Sequence, residues 1–345
     1  PLSAEWTGPS TWRIRVPVGW GENRIDLESF SMNGSRTGEA SLVVTGIENE
    51  MPVLARAGEL FISEIMYHPA DPRLAERAAG YLSAEDFEFI ELWNPGSRSV
   101  DLRGSLFAGG IDFAFSLQPS LPVAAGERVI LARNSAAFAF RYGTGARVVG
   151  SYGVQKLRNG GEMVTLKDIH GRTIEALTYD DRAPWPAAAD GVGGSLVRRS
   201  PNGDPADPFE WKVSLSPNGS PGERDGVIFS GDPTSNEDGD LLPALLEYAF
   251  GSSDRIFSNE VLPEWDLASG EPGREFVFFE NEWAGDLDYE IEFSSDLVDW
   301  APDRSRWFTL SVESLGQGLA RRLVRLNDPP EGGDRDFVRV RVSLR

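Results

Sequence analysis

An acidic turn followed by a helix is the segment of this 345-residue chain with the clearest capacity for chemistry. Asn236, Asp238 and Asp240 offer side-chain oxygens on alternate residues, and Glu247 follows within a predicted helix. Because Ca²⁺ takes about six to eight oxygen ligands, this turn is a candidate calcium site. The EF-hand pattern fits poorly, since it places Leu245 where a closing carboxylate is needed. An acidic turn that starts the helix without any metal is the alternative.

Few catalytic chemistries are open to this composition. The absence of cysteine excludes disulfides, thiol catalysis and thiolate zinc, and the two histidines, His68 and His170, cannot form a three-histidine zinc site. No G-x-S-x-G, H-E-x-x-H, P-loop or dinucleotide glycine pattern occurs. Paired acids such as Asp180 and Asp181 could serve as glycosidase carboxylates, but such pairs are frequent in acidic chains. We predict no catalytic residue here, and we expect any catalytic domain of the parent protein upstream of Pro1.

Two glutamates, Glu64 and Glu91, lie inside strand patterns that are otherwise apolar. A buried carboxylate requires hydrogen-bond partners, so these side chains mark either a site or structural hydrogen bonds, and the second interpretation is favoured. His68 follows the first of these strands, with no second histidine or cysteine near it in sequence, and is interpreted as a strand-end residue. Asn94, followed by Pro95 and a glycine, indicates a structural corner rather than a ligand site.

Tryptophan supplies the second candidate binding chemistry. The chain has ten tryptophans, and several lie at predicted turns or strand ends, where an exposed ring could bind a glycan. Trp185, Trp283 and Trp307 are the candidates, although β-sandwich cores also use tryptophan.

The elements that position these residues are mainly strands. The chain has 37 glycines and 23 prolines, and its many short alternating segments are separated by glycine and asparagine turns, which predicts an all-β fold of tandem antiparallel β-sandwiches. Examples are the segments 87–93, 111–117 and 162–167. Short helices are predicted at 135–142, in the insertion at 74–79, and at 241–250 before Gly251.

An ordered series of motifs resembles the bacterial branch of the lamin tail domain family. The series begins with Ile62-Ser-Glu-Ile-Met-Tyr-His-Pro69, Glu88-Phe-Ile-Glu-Leu-Trp-Asn-Pro95 and Ala125-Gly-Glu-Arg-Val-Ile-Leu-Ala132, and it ends with Gly193-Gly-Ser-Leu196, Trp211 and Ser220-Pro-Gly222. The resemblance implies an immunoglobulin-like sandwich that is non-catalytic and occurs in large secreted or surface bacterial proteins.

The C-terminal residues suggest a second, smaller β-sandwich led by one short helix. In segment 287–294, acidic residues alternate with apolar ones, so the predicted strand has one acidic face and one apolar face. In segment 337–344, arginines alternate with valines in the same way. The acidic and basic faces would therefore be complementary in charge if the two strands pair. We interpret both charged stripes as solvated faces. The segments 242–251 and 289–300 resemble the C-terminal domain of many secreted multidomain proteins of aquatic and soil bacteria.

Composition shifts suggest the domain organisation. We predict that residues 1–50 are the C-terminal strands of a truncated β domain, with an independent three-strand subdomain as the alternative. Residues 59–224 form the lamin-tail-like sandwich, residues 225–240 a linker with the acidic turn, and residues 241–345 the small C-terminal sandwich.

Charge and hydropathy limit the possible partners. The net charge is −21, most of it after residue 226, and Arg198-Arg199 is the longest basic run of the middle domain, so no nucleic-acid partner is expected. No apolar run approaches the length of a membrane span, which excludes helical membrane insertion.

We expect a non-catalytic extracellular or cell-surface tail of a larger bacterial protein that contacts other surface proteins or itself. The alternative is a carbohydrate-binding accessory region of a polysaccharide-degrading or kinase-like parent enzyme. Ca²⁺ is the one cofactor considered.

Overall fold

The computed structural model describes most of the chain in two compact units, residues 1–51 and 52–345. The described residues are 4–6, 11–14, 21–31, 33–46, 53–257, 261–266, 275–327 and 337–345. Of the predicted truncated β domain at residues 1–50, residues 1–3, 7–10, 15–20, 32 and 47–50 lie outside them.

The N-terminal unit contains two antiparallel strand pairs. Strands β1 (Ala4–Trp6) and β2 (Trp12–Ile14) form one pair, and β3 (Gly21–Phe30) and β4 (Arg36–Gly46) form the other. The β3–β4 turn includes Gly34, which has φ +84° and donates its N–H to the Ser31 carbonyl. The Asn33-Gly34 pair is typical of such a hairpin, because the turn requires a residue that tolerates positive φ.

The middle sandwich, residues 53–224, is built from thirteen short strands. They are β5 (Val53–Leu54), β6 (Phe61–Met66), β7 (Phe89–Trp93), β8 (Val100–Asp101), β9 (Leu106–Ala108), β10 (Phe113–Ala114), β11 (Pro122–Val123), β12 (Arg128–Ala132), β13 (Arg147–Ser151), β14 (Glu162–Lys167), β15 (Thr173–Tyr179), β16 (Leu196–Arg198) and β17 (Trp211–Val213). The main sheet has the order β13-β12-β7-β6-β16-β17, and the facing sheet has the order β10-β9-β14-β15. A third, three-stranded sheet has the order β11-β8-β5. Most pairs are antiparallel, whereas β12–β13 and β5–β8 are parallel.

The core of the middle sandwich lies between its sheets. Apolar side chains of β6 and β7, such as Ile65 and Leu92, pack in one cluster with Leu166 and Leu177 of the facing sheet, all with no exposed surface. The opposite face of the main sheet is covered by helix α2 (Ser135–Tyr142), whose Phe138 lies edge-on to Phe89. A central strand covered on both faces explains the apolar residues on both sides of β7.

Local chemistry decides where several elements begin and end. The Asn134 side chain accepts hydrogen bonds from two amides at the start of α2, which is the usual role of asparagine at a helix N-terminus. Helix α1 (Leu74–Ala78) confirms the helix predicted in the insertion. Asn94 is buried, donates to three carbonyls and accepts from the Gly96 N–H, so it is the predicted structural corner.

Two predicted strands are shorter in the structure. Phe87 belongs to a 3₁₀ turn (Ala84–Phe87), so that strand begins at Phe89. Of the predicted strand 111–117, only β10 (Phe113–Ala114) forms. Ile111 and Phe115 are buried, but Leu117 is exposed at the loop that contains Gln118-Pro119. Ile111 and Phe115 keep the alternation of the predicted strand although they lie outside β10, and the Phe115 N–H still donates to the Ser105 carbonyl at 2.9 Å.

The C-terminal sandwich contains two sheets and helix α3 (Ala244–Phe250). Its strands are β18 (Glu264–Trp265), β19 (Glu275–Asn281), β20 (Leu287–Ser294), β21 (Ala301–Pro302), β22 (Trp307–Gly316), β23 (Leu319–Leu326) and β24 (Phe337–Leu344). The sheets have the orders β18-β19-β23-β22 and β21-β20-β24. Phe278 of β19, Phe293 of β20 and Val324 of β23 pack together in the core between the two sheets. Phe250 belongs to a second apolar cluster, which lies under α3. The all-β architecture predicted from the sequence is confirmed.

Strands β20 and β24 pair, which places their complementary charges opposite each other. Glu292 lies opposite Arg339 and Glu290 opposite Arg341, and Arg339 forms an ion pair with Glu292 at 2.6 Å. The interpretation of the acidic stripe as a solvated face is wrong for Glu292, which is buried under the two arginines. Long arginine side chains can cover a neighbouring carboxylate while their own ends stay exposed.

Candidate functional site

The acidic turn predicted as a calcium site is held by its own hydrogen bonds. The Asn236 side chain accepts from the Gly239 N–H at 2.7 Å and donates to the Asp240 carbonyl at 2.9 Å. Gly239 has φ +74°, a conformation that favours glycine. Asp254 fixes the preceding residues by accepting from the Glu237 N–H and the Ser235 hydroxyl. The turn is therefore a folded loop whose geometry depends on a residue after the helix.

Three carboxylates converge where this turn meets helix α3. Side-chain oxygens of Asp238, Asp240 and Glu247 lie within 4.8 Å of one another. Glu247 is only 1% exposed; one of its oxygens accepts from the Ser252 hydroxyl at 3.2 Å, and the other has no hydrogen-bond partner. Burial, followed by the charges of Asp238 and Asp240, raises the pKa of Glu247. The three carboxylates therefore concentrate negative charge that hydrogen bonds compensate only in part.

The fourth residue proposed as a metal ligand, Asn236, closes the turn by accepting a hydrogen bond from the Gly239 N–H with its amide oxygen. The structure brings the three proposed carboxylates together. Sequence reasoning did not identify Asp254, and no local pattern could have done so. It follows Glu247 by seven residues and contacts the loop only because α3 ends at Gly251 and turns back.

The three candidate glycan-binding tryptophans have different environments. Trp185 is 9% exposed and packs beside Trp211 in the core, so it lacks the free ring face that stacking on a glycan requires. Trp307 contacts the C-terminal core, and the Arg304 guanidinium lies 3.6 Å from its ring centroid. Trp283 is 49% exposed and packs against Gly318. The expectation of an exposed ring is wrong for Trp185, because the packing of the sandwich core buries that ring.

Glu64 and Glu91 lie opposite each other on neighbouring strands β6 and β7. Glu64 accepts hydrogen bonds from the Ser195 hydroxyl at 2.5 Å and the Ser220 amide at 2.9 Å. Burial, together with the charge of Glu91, raises the pKa of Glu64 to about 8. The pKa of Glu91 is raised by burial as well, although Arg128 at 2.9 Å opposes that effect. These contacts agree with the structural hydrogen-bond interpretation.

Gly219 allows its own loop, which follows strand β17, to approach the Glu64 side chain closely. A Cβ atom at Gly219 would lie 2.3 Å from a Glu64 oxygen, and its φ is +85°. We therefore expect Gly219→Ala to lower the free energy of unfolding by about 2–3 kcal/mol, from backbone strain plus the displaced carboxylate. Urea denaturation measures the effect.

Gly171→Ala is the matched control for Gly219→Ala. Gly171 has φ +78° but no atom within 4 Å of its Cβ position, so this variant carries the backbone cost alone, about 1 kcal/mol. Equal destabilisation by the two variants would contradict the close-approach argument.

A cavity of about 80 Å³ lies between the middle sandwich and the C-terminal sandwich. Among its lining residues, Glu64, Glu91 and Lys212 come from the first sandwich, and Glu280 and Arg345 come from the second. A cavity of this size with charged groups in its walls has room for several waters. The inter-domain boundary therefore combines buried charges with apolar side chains such as Phe61 and Phe278.

Buried ion pairs cross this interface. Arg199 of the middle sandwich lies 3.4 Å from Glu280 and 3.0 Å from Glu282. Lys212 donates to the Glu282 carbonyl at 2.6 Å. Arg322 lies 2.6 Å from Glu280 and donates to the Phe209 carbonyl of the middle sandwich at 3.1 Å. Burial alone would raise the pKa of Glu280, but Arg322 and Arg199 hold that pKa below its usual range.

The middle sandwich has two facing sheets, a separate three-stranded sheet and a segment, residues 220–222, whose amides contact Glu64 and Glu91. Residues 55–181 match the Lamin Tail Domain family model. The lamin tail domain is a non-enzymatic, immunoglobulin-like domain, so the match supports the resemblance of the middle sandwich and the all-β fold.

The lamin tail match ends before two strands of the same sheet. Strands β16 and β17, which pair with β6 and with each other, follow residue 181. No curated protein matches the chain. None of the helices in the described residues is long and apolar enough to cross a membrane.

Proposed function

We propose that the lamin tail domain and the C-terminal sandwich together act as a non-catalytic protein-interaction tail of a larger extracellular or surface-attached bacterial protein. The observation that carries this proposal is the buried ionic interface between the two sandwiches. Arg322 and Glu280 are both at most 5% exposed, and each participates in contacts that span the boundary. Charges buried in this way tolerate few relative orientations, because any displacement leaves one of them unpaired.

Fixed orientation suits a module that presents a surface to another protein. Flexibly linked domains lose orientational freedom when they bind, and a preorganised pair avoids part of that cost. Other surface proteins, or a second copy of this chain, are the proposed partners.

The buried carboxylates support a non-catalytic role because the fold itself uses them. Glu64 binds two serines, Glu91 pairs with Arg128, and Glu175 forms a buried pair with Arg198. Glu88 accepts from the Tyr152 hydroxyl and the Leu157 amide, both at 3.0 Å. A catalytic acid or base must reach its substrate, whereas these four residues are at most 7% exposed and each is held by structural partners, including Glu64 and Glu91 where they line the cavity between the sandwiches.

Glycan binding is the second candidate, and Trp283 is the observation that favours it. The exposed half of this ring is the only such surface among the three candidate tryptophans, since Trp185 is buried and Trp307 is covered by Arg304. A single ring gives a smaller stacking surface than the three predicted from sequence.

A glycan array and sedimentation velocity on the full chain test the two functions together. We expect no saturable glycan binding and a mass that rises with concentration or on addition of cell-envelope proteins. Saturable glycan binding that Trp283→Ala abolishes would overturn the interaction tail as a sufficient account. Trp265→Ala, which removes another exposed tryptophan, is the matched control.

Protease treatment of intact producing cells tests the extracellular location, because a surface-exposed chain is cleaved without lysis.

A further inference from the structure

We infer that Asp238, Asp240 and Glu247 form a calcium-binding site that ties the loop before helix α3 to the helix. Helix α3 packs on the C-terminal core through Phe250 and Ala249, so an ion at this position would join the loop to that core. The inference does not depend on which partner the module contacts.

The buried, unpartnered oxygen of Glu247 is the observation that separates this site from an ordinary acidic cluster. Glu247 is 1% exposed, and its second carboxylate oxygen has neither a hydrogen-bond donor nor open solvent. One carboxylate oxygen of Asp238 is also buried without a hydrogen-bond donor. Leaving such groups uncompensated is costly, and the nearby side chains of Asp240 and Asp254 add negative charge rather than a cation.

The spacing of the oxygens suits calcium. Oxygens bound to one Ca²⁺ at about 2.4 Å are at most about 4.8 Å apart, when they lie on opposite sides of the ion. The three carboxylate oxygens satisfy that limit. All three donors are hard oxygens, which favours Ca²⁺ over metals that prefer nitrogen or sulfur. Backbone carbonyls and water would complete the coordination.

Hydrogen bonds within the loop fix its shape. Asn236 closes the turn with its own amide, and Asp254 accepts from the loop amide of Glu237. Calcium bound at this loop would relieve the repulsion among the three carboxylates.

Calcium titration of the EDTA-treated, dialysed full chain tests the site. We expect isothermal titration calorimetry to show one ion per chain with a Kd below about 1 mM. At about one hundred times that Kd, calcium should raise the melting temperature by ~5 °C. Glu247→Gln should reduce the calcium-induced rise to under ~1 °C, and its melting temperature in EDTA should equal or exceed that of the wild type because a repulsive charge is gone.

Glu237→Gln is the matched control, since Glu237 lies in the same loop but is exposed and pairs with Arg255. It should retain the full calcium response. Asp238→Asn is a second ligand variant that keeps the test decisive if Glu247→Gln does not fold. No calcium response in the wild type, or an unchanged response in the ligand variants, would overturn the inference.

Discussion

Arg322→Ala should lower the free energy of unfolding by about 3–5 kcal/mol, the usual cost of removing one partner from a buried ion pair. Arg322 is 3% exposed and contacts Glu280, the Thr309 hydroxyl and the Phe209 carbonyl. Its removal leaves Glu280 buried beside Arg199 alone, at 3.4 Å. Guanidinium chloride denaturation measures the loss.

The control for Arg322→Ala is Arg255→Ala, which breaks an exposed pair with Glu237 and should cost less than about 1 kcal/mol. The double variant Arg322→Met/Glu280→Leu should be less destabilised than Arg322→Ala, because it leaves no unpaired charge at that pair. If Arg322→Ala matches Arg255→Ala, the buried pair does not hold the interface and the structural basis of the proposed function is wrong.

Stability should fall as pH rises from about 5 to 8. The pKa of Glu64 is raised to about 8 by burial and by Glu91, and the pKa of Glu88 is raised to about 8 by burial, against an ordinary value of 4.5 for a glutamate side chain. Between these values the folded chain holds protons that the unfolded chain releases. The stabilisation is therefore complete below about pH 4.5 and is lost as pH rises through 8. We expect a loss of about 3 kcal/mol for each group between pH 5 and 7.5.

The groups around Glu64 determine this effect. Glu91 and Asp225 disfavour its ionisation, Ser195 and Ser220 favour it, and Arg128 acts mainly on Glu91. Glu64→Gln should leave stability near that of the wild type at pH 5, exceed it at pH 8, and flatten the profile between them, as followed by urea denaturation at fixed pH values.

Glu85→Gln is the control for the pH profile, because hydrogen bonds led by Ser83 lower the pKa of Glu85 to about 2, outside this range. It should change the level of stability but not the slope from pH 5 to 8. A wild-type profile that is flat or rises over this range, or a Glu64→Gln profile with the wild-type slope, would contradict the assignment.

Patterns local in sequence anticipated much of the fold. The charges of β20 and β24 are complementary, as expected if the two strands pair, and the Asn33-Gly34 sequence is typical of the turn in a hairpin such as β3–β4. The lamin tail resemblance required no single decisive residue, only an ordered series of motifs that a family model also matches.

Long-range burial was not available from the same patterns. The contact between Arg322 and Phe209 joins residues that are far apart in sequence. An arginine on a predicted strand gives the same sequence pattern whether its guanidinium group is solvated or buried. Trp185 looked like a turn residue, yet the sandwich buries it against Trp211. Glu292 likewise has the alternation of a solvated face but lies beneath Arg339. Such outcomes depend on which elements meet, and that is decided by the whole fold.

Native-state hydrogen exchange on the full chain tests the central claim most directly, namely that the middle sandwich and the C-terminal sandwich are one rigid unit. We expect amides of β7 (Phe89–Trp93) and β23 (Leu319–Leu326) to open with the same free energy, and Arg322→Ala to make β23 open more readily than β7. If β23 in the wild-type chain opens at a free energy more than about 2 kcal/mol below that of β7, the two sandwiches unfold independently and the claim is contradicted.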